Sequence, residues 1–449
     1  MRQIRLFFII SMLLLGMFSN SCKKSSTTDT TTTVVTPGVG EYIGTIAVYS
    51  KADTLLDYFL KNKLNRITGS LELYTSEDID FKKYLVNLKS VSGSVRLYKI
   101  RNTDLSFLSN LTKITIDLQI SACPNLTSLA GLSKIDTLLN NLIIENNPKI
   151  LNLNGLGFIK TLSGLAITGN PSIQSLNGID SLITISNSIS VGENPLLTSV
   201  TGLSKVETIT TNLVFYNNAK QQSLEGLNKL NNIGGSLILS GLPAFTTLSS
   251  LNALNDTISS ISILGCNNLT NLQGLNNLPH IKTDLRLISC DKLANLQGLA
   301  KIDTIGGVLE LNKLSALSSL TGLTVLKGIK KDLRIVECNS LNSLTGLATL
   351  GVIKGSFVLD DNLNLLNLKG TDALTLVKGS VQILNNEHLV SLQGLEPLQT
   401  ISGDIDIYYN PSLVSYCALK PTTFSGKPYI GLNLYTPTWA QIVAGKCSK

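Results

Sequence analysis

The chain has 449 residues, 43% of them hydrophobic, 15% charged and only 5% aromatic, with a formal charge of +7. This composition excludes a disordered chain, which would be polar and charge-rich, and seven cysteines in such a length exclude a small disulfide-framed domain. With two histidines, His280 and His388, most histidine-dependent catalysis is disfavoured, and so small a net charge gives no case for a nucleic-acid surface.

In chain order the first feature is a leader. Arg2 and Arg5 precede an apolar run from Phe7 to Phe18, and Ser19-Asn20-Ser21 leads to Cys22. The run is too short to span a bilayer, so residues 1–21 read as a cleaved signal peptide. Ser21-Cys22 resembles the lipobox of bacterial lipoproteins, which implies lipid attachment at Cys22. Ser19 and Asn20 depart from the usual lipobox, which keeps cleavage by an ordinary signal peptidase open. Residues 22–40 are rich in Ser and Thr, cannot bury a core, and read as a tether. The expected address is the cell envelope, with the protein held at the outer membrane through an N-terminal lipid and its periplasmic or surface face left open.

Residues 41–416 repeat one unit. Its frame is L-x-G-L-x-x-L-x-x-I-x-x-x-L-x-I-x-x-N/C-x-x-L. The glycine of the Gly-Leu step recurs from Gly131 to Gly394 at intervals of 24 residues with one interval of 23, and Ser250 fills one slot. Pairs such as Leu285/Leu287, Leu309/Leu311 and Leu333/Ile335 keep the same beat from Ile46/Val48 to Ile405/Ile407, which makes about sixteen coils. Alternation with period two predicts a short half-buried strand in each coil. The Gly-Leu-x-x-Leu-x-x-Ile stretch suits a tight turn or 3₁₀ corner, and no helix is expected on the back of any coil. One coil cannot bury its own apolar side chains, so the coils must stack. The predicted fold is all-β: a right-handed parallel β-solenoid.

Three residues past each strand pair runs a column of Asn147, Asn170, Asn194, Asn218, Asn362, Asn386 and Asn410, with Cys123, Cys266, Cys290 and Cys338 in the same slot and Leu242 and Leu314 breaking it. An inward Asn there can hydrogen-bond buried turn backbone, which needs such partners. The L-x-L-x-x-N/C element resembles that of leucine-rich repeats. The Gly-Ser or Gly-Gly step before the strand, as in Ile67-Thr68-Gly69-Ser70-Leu71 and Ile305-Gly306-Gly307-Val308-Leu309, resembles the receptor L-domain. With the leader, the chain is similar to secreted L-domain-like repeat lipoproteins of bacteria, although the array is longer than a receptor L-domain and has no N-terminal cysteine pair.

Residues 417–449 leave the beat and contain the single tryptophan, Trp439, so they read as a C-terminal cap. Cys417 and Cys447 lie outside the repeat in an exported chain, which suits a disulfide; a Cys266–Cys290 bond between adjacent coils is the lesser alternative.

A solenoid of this kind points to a non-enzymatic binding scaffold, for protein recognition or adhesion through its strand face. Apolar residues that alternation places outward, Ile238, Leu264, Ile288 and Val336 together with Ile143 and Val214, mark one candidate surface. A second is the column Tyr49, Tyr74 and Tyr98 with Arg96 beside it, residue types that interface hot spots favour; Tyr408 and Tyr409 supply further rings. The alternatives are a glycan-capture component of a nutrient-uptake system and, less favoured, a polysaccharide-active enzyme. For an enzyme, only Glu337, Asp360 and Asp361 come near the required pair of carboxylates. No catalytic residue, metal or cofactor is expected. The expected partner is a protein or glycan at the cell surface. The mixed-sign columns Arg286/Glu310/Arg334 and Lys313/Glu337/Asp361 read as pairing between coils.

Overall fold

The computed structural model describes residues 40–419 and 422–449, within the unit Val39–Lys449. The predicted leader, Cys22 and all of the tether but Gly40 lie outside the described residues.

Those residues form a parallel β-solenoid. Its main ladder has seventeen strands, from Ile46–Val48 to Pro428–Gly431, each hydrogen-bonded in parallel to the strand of the next coil. The register is the one the sequence beat implies: Leu285 faces Leu309 and Leu309 faces Leu333. Inward positions such as Leu71, Leu73, Leu285, Leu287, Leu309 and Leu311 are fully buried. The hydrophobic effect therefore acts between coils, since each inward side chain is covered by its counterparts on either side. The last strand, Pro428–Gly431, comes from the segment read as a cap, so that segment adds a coil before it closes the stack.

A second parallel ladder, not anticipated, runs along another edge of the coil. It consists of two-residue strands such as Arg66–Ile67, Thr208–Ile209, Gly328–Ile329 and Val352–Ile353, paired coil to coil, with single bridges at Ile258, Ile281 and Ile305 where the strands lapse. Its apolar member is the isoleucine at the end of the Gly-Leu-x-x-Leu-x-x-Ile stretch. The corner itself is a turn in most coils and a 3₁₀ helix in some, for example Ala130–Leu132, Thr201–Leu203 and Ser249–Leu251. That choice explains the one missing glycine. Gly298 sits at φ 115°, where a Cβ would also run into the carbonyl oxygen of Leu272 on the preceding coil. Ser250 lies inside a 3₁₀ corner and avoids positive φ altogether.

The expectation that no coil carries a helix fails in the first two. Thr54–Asn62 is an α-helix whose N-cap Asp53 accepts from the Leu55 N–H, and Leu56 and Phe59, three apart, are buried against the first coils. A shorter helix, Lys82–Leu85, occupies the second coil. Neither coil has the Gly-Leu step that forces a tight corner. At the other end Cys417 and Cys447 are disulfide-bonded, and helix Trp439–Val443 begins with a capping box between Thr438 and Gln441. Trp439 packs edge-on to Phe424 at 4.6 Å, and Ile442 is buried.

Candidate binding face

From the third coil on, the chain passes from its strand into one residue with a left-handed backbone and then into the slot that asparagine or cysteine fills in most coils. Lys99, Glu193, Lys313, Glu337 and Asp361 all adopt φ between 52° and 59° at that point. A non-glycine residue in this conformation costs about 1–2 kcal/mol, so the turn must be held by something else, and the Asn slot supplies it. Asn170 Oδ1 accepts the N–H of Asn147 on the preceding coil at 3.0 Å, and Asn170 Nδ2 donates to the Ile144 carbonyl at 2.9 Å. The pattern repeats from Cys123 to Asn218, and again from Cys338 through Asn362, Asn386 and Asn410 to Asn433.

Between these two runs of asparagines the slot holds Leu242, Cys266, Cys290 and Leu314, all fully buried. The Cys290 thiol contacts the Ile263 carbonyl at 3.7 Å, on the coil that carries Cys266. The thiol–thiol hydrogen bond to Cys290, together with burial, holds Cys266 well above the ordinary thiol value. Burial pushes Cys123 up to about 11 and Cys338 up to about 12. All four are free thiols in this structure.

The outward face of the main ladder falls into three stretches. At the N-terminal end Tyr49 stacks on Tyr74 with centroids 5.9 Å apart, and Tyr74 meets Tyr98 edge-on at 6.1 Å. Lys99 Nζ lies 5.0 Å from the Tyr98 ring centre. Arg96 is held by Glu72 of the preceding coil at 2.6 Å. The three tyrosines thus form one continuous column, with Tyr49 at its outer end 63% exposed.

In the middle stretch the structure divides the apolar residues read as one surface. Val214 is buried, which corrects the expectation that it faces outward; beside it Ala166 and Ser190 are buried as well. Ile143, Ile238, Leu264, Ile288 and Val336 are half-buried. Leu264 and Ile288 face each other on neighbouring strands. Ile238 sits in the adjacent column, opposite Ser262. Val336 is separated from Ile288 by Asn312, whose buried Oδ1 has no hydrogen-bond partner among the described residues. Nearby, Tyr216 lies across Gly192, where any Cβ would strike the ring. Burial first, then the carboxylates of Glu193 and Glu145, push the Tyr216 hydroxyl up to about 12.

The third stretch is charged. Arg286 pairs with Asp284 at 2.8 Å and lies 3.6 Å from Glu310 on the next coil, while Lys313 pairs with Glu337 at 3.2 Å. Burial, then Glu337 and Asp360, raise the Asp361 carboxyl above its ordinary value, with Lys313 opposing. Among the described residues no group of three His, Cys, Asp or Glu side chains is arranged to hold a metal ion. His280 is 3.2 Å from Asp303, and His388 Nδ1 is 2.7 Å from the Leu363 carbonyl on another coil. At the C-terminal end Tyr408 contacts Tyr409 at 4.7 Å and Tyr429 at 6.2 Å. Tyr429 was missed in the sequence because it lies past the last regular beat, yet it pairs with Asp406 on the ladder.

No protein-family model matches the chain, and no curated protein matches it. Among solved structures, the crystal structure of a TLR13–ssRNA13 complex aligns over 82% of this chain and 67% of that chain, at 14% identity and a TM-score of 0.26. So distant a likeness carries no argument; the leucine-rich-repeat-like character of this solenoid rests on its own repeat and strand ladder.

Proposed function

We propose that the protein is a non-enzymatic binding scaffold of the cell envelope, exported and held at a membrane by lipid on Cys22, which recognises a protein partner through the outward face of its main ladder. The reading rests above all on the coils around Leu264 and Ile288. There two apolar side chains stand side by side on neighbouring strands, next to an Asn312 carbonyl oxygen that lacks a donor. A half-buried apolar pair on an outward face is what the centre of a protein interface covers.

The charge-introducing pair Ile238→Glu with Ile288→Glu tests this reading. In pull-down or cell-adhesion assays it should abolish binding while the circular dichroism spectrum stays that of the parent. Retained binding with an intact fold would overturn the assignment of this face.

The tyrosine columns favour a second reading, capture of a glycan. Tyr49 and Tyr429 each present a largely exposed ring at an end of the ladder, and such rings are the apolar platforms a sugar face packs against. Signals on a glycan array that vanish with Tyr49→Ala or Tyr429→Ala would favour it over protein recognition.

A further inference from the structure

On a different edge from the face just described, we propose that Lys330, Lys354 and Lys378 form a binding row for a linear polyanionic glycan, one that carries carboxylate or sulfate groups along its length. Each lysine directly follows a two-residue strand of the second ladder: Gly328–Ile329, Val352–Ile353 and Leu376–Val377. Those strands pair in strict register, and the backbone N–H groups of Lys354 and Lys378 donate to Ile329 and Ile353 of the preceding coils, both at 2.9 Å. The three lysines therefore lie in single file along the stack, about 4.8 Å apart at the backbone. All three are exposed, as is Lys331 beside the first. The ion pairs found among the described residues involve none of them. Asp332, two residues past Lys330, turns its Oδ1 to the Ser356 N–H at 2.8 Å.

On most other coils this slot holds a small or hydroxyl residue, such as Ser92, Ser186 or Gly234; at Thr68, Thr115 and Thr210 the hydroxyl approaches a carbonyl of the preceding coil at 3.4–3.5 Å. Ser402 follows the row and Gly306 precedes it, with Lys282 one coil further back. Three successive coils instead place a lysine there, with no ion-pair partner among the described residues. Like charges at this spacing repel one another, so the arrangement works against stability and calls for a counter-charge from outside.

The chemistry of the row selects among polyanions. Lysine ammonium groups are compact point charges. Single-stranded nucleic acid binds on aromatic platforms with cation–π support from arginine, and no arginine or aromatic residue occupies this slot on these coils. A lipid surface is met by a broad basic face with apolar side chains to insert, whereas this is a single file. A chain of acidic sugars asks only for charges at intervals along a line.

The test is titration of the purified protein, at low and moderate salt, with a sulfated polysaccharide (heparin) and with polygalacturonate. Neutral dextran and oligothymidylate serve as controls. At least one acidic polymer should bind, with affinity falling steeply as salt rises. The triple variant Lys330→Gln, Lys354→Gln, Lys378→Gln should weaken it on the order of 10-fold. Lys354→Arg, which keeps the charge, should bind as the parent does. A control triple that removes the same charge elsewhere, Lys160→Gln, Lys205→Gln, Lys229→Gln, should leave binding unchanged. Equal loss in the control triple, stronger binding of oligothymidylate than of either glycan, or no binding of either acidic polymer would each overturn the proposal. None of these outcomes depends on the face around Leu264 and Ile288.

Discussion

The flanking coils and the central coils share one backbone and hold it differently. From Cys123 to Asn218, and from Cys338 to Asn433, each turn is secured by an asparagine amide that bonds both the slot N–H and a strand carbonyl of the coil before it. From Leu242 to Leu314 the same slots hold leucine and cysteine, and the contacts there are packing and weak thiol-to-carbonyl approaches of 3.6–3.8 Å. Strand register does not change across the boundary. Two different chemistries therefore satisfy one geometry, and the difference should appear in how firmly each region is held rather than in its shape. The central coils are also those whose outward face carries Leu264 and Ile288.

The sharpest way to break this comparison is to exchange the two chemistries. Asn386→Leu removes the acceptor of the Asn362 N–H and the donor to the Leu359 carbonyl, leaving two buried backbone groups unmet. It should lower stability to urea by about 2–6 kcal/mol. Leu314→Asn should cost less than half as much, because an amide in that slot meets the Cys290 N–H and the Leu287 carbonyl already waiting there. Equal costs would show that the asparagine spine does not distinguish the regions.

A smaller effect should appear in the thiols. All four ladder cysteines are buried, so iodoacetamide reaches them only when their coils open. In mild denaturant Cys266 and Cys290 should be labelled before Cys123 and Cys338, as read by peptide mass spectrometry. Labelling of Cys338 first would reverse the order of stability inferred here.

The smallest effect belongs to Asp361, in the left-handed turn of a flanking coil. Its carboxyl is raised above 3.8, first by burial and then by Glu337 and Asp360. The folded chain thus holds this proton more tightly than the unfolded chain does. The group's contribution to stability is full below pH 3.8 and declines as pH rises through the elevated value. Asp361→Asn keeps a residue that tolerates positive φ and removes that decline. The variant should be slightly more stable than the parent at pH 7, with no advantage at pH 3, in paired thermal melts. An advantage that is the same at both values would place its cause outside the titration of this carboxyl.

Much of this architecture is legible in the residues, for reasons that can be named. Leu285, Leu309 and Leu333 announce the main ladder because an inward position has few permitted occupants. Asn170 and Asn194 announce the spine because a buried turn needs a polar partner of one size. The bond between Cys417 and Cys447 follows from their place outside the beat. What stayed hidden was set by conformation rather than side-chain type. A two-residue strand such as Val352–Ile353 is too short to show alternation. The left-handed turn accepts Lys313, Glu337 or Asp361, whose charges meet one another across coils rather than marking the turn itself. The helix Thr54–Asn62 occurs in one coil only, so no repeat announces it. Outward residues were the hardest to place: Val214 and Ile238 are both apolar and adjacent on the ladder, yet one is buried and the other half-buried.

The asparagine spine also has a direction. Every amide in it reaches back to a strand carbonyl of the coil before, and what it offers forward is only a second donor to the oxygen that the next asparagine brings. Each coil therefore arrives with the fitting for its predecessor and leaves a vacancy for its successor. A copied stretch of 24 residues that brings its own asparagine fits within either run of asparagines, and it meets both obligations at once. A deletion of one whole unit restores the same match. The array can therefore change length by whole steps without new chemistry, whereas its last coil cannot be moved, because Asn433 is joined to the segment that Cys447 ties back to Cys417. Growth and loss are open along the ladder and closed at its C-terminal end.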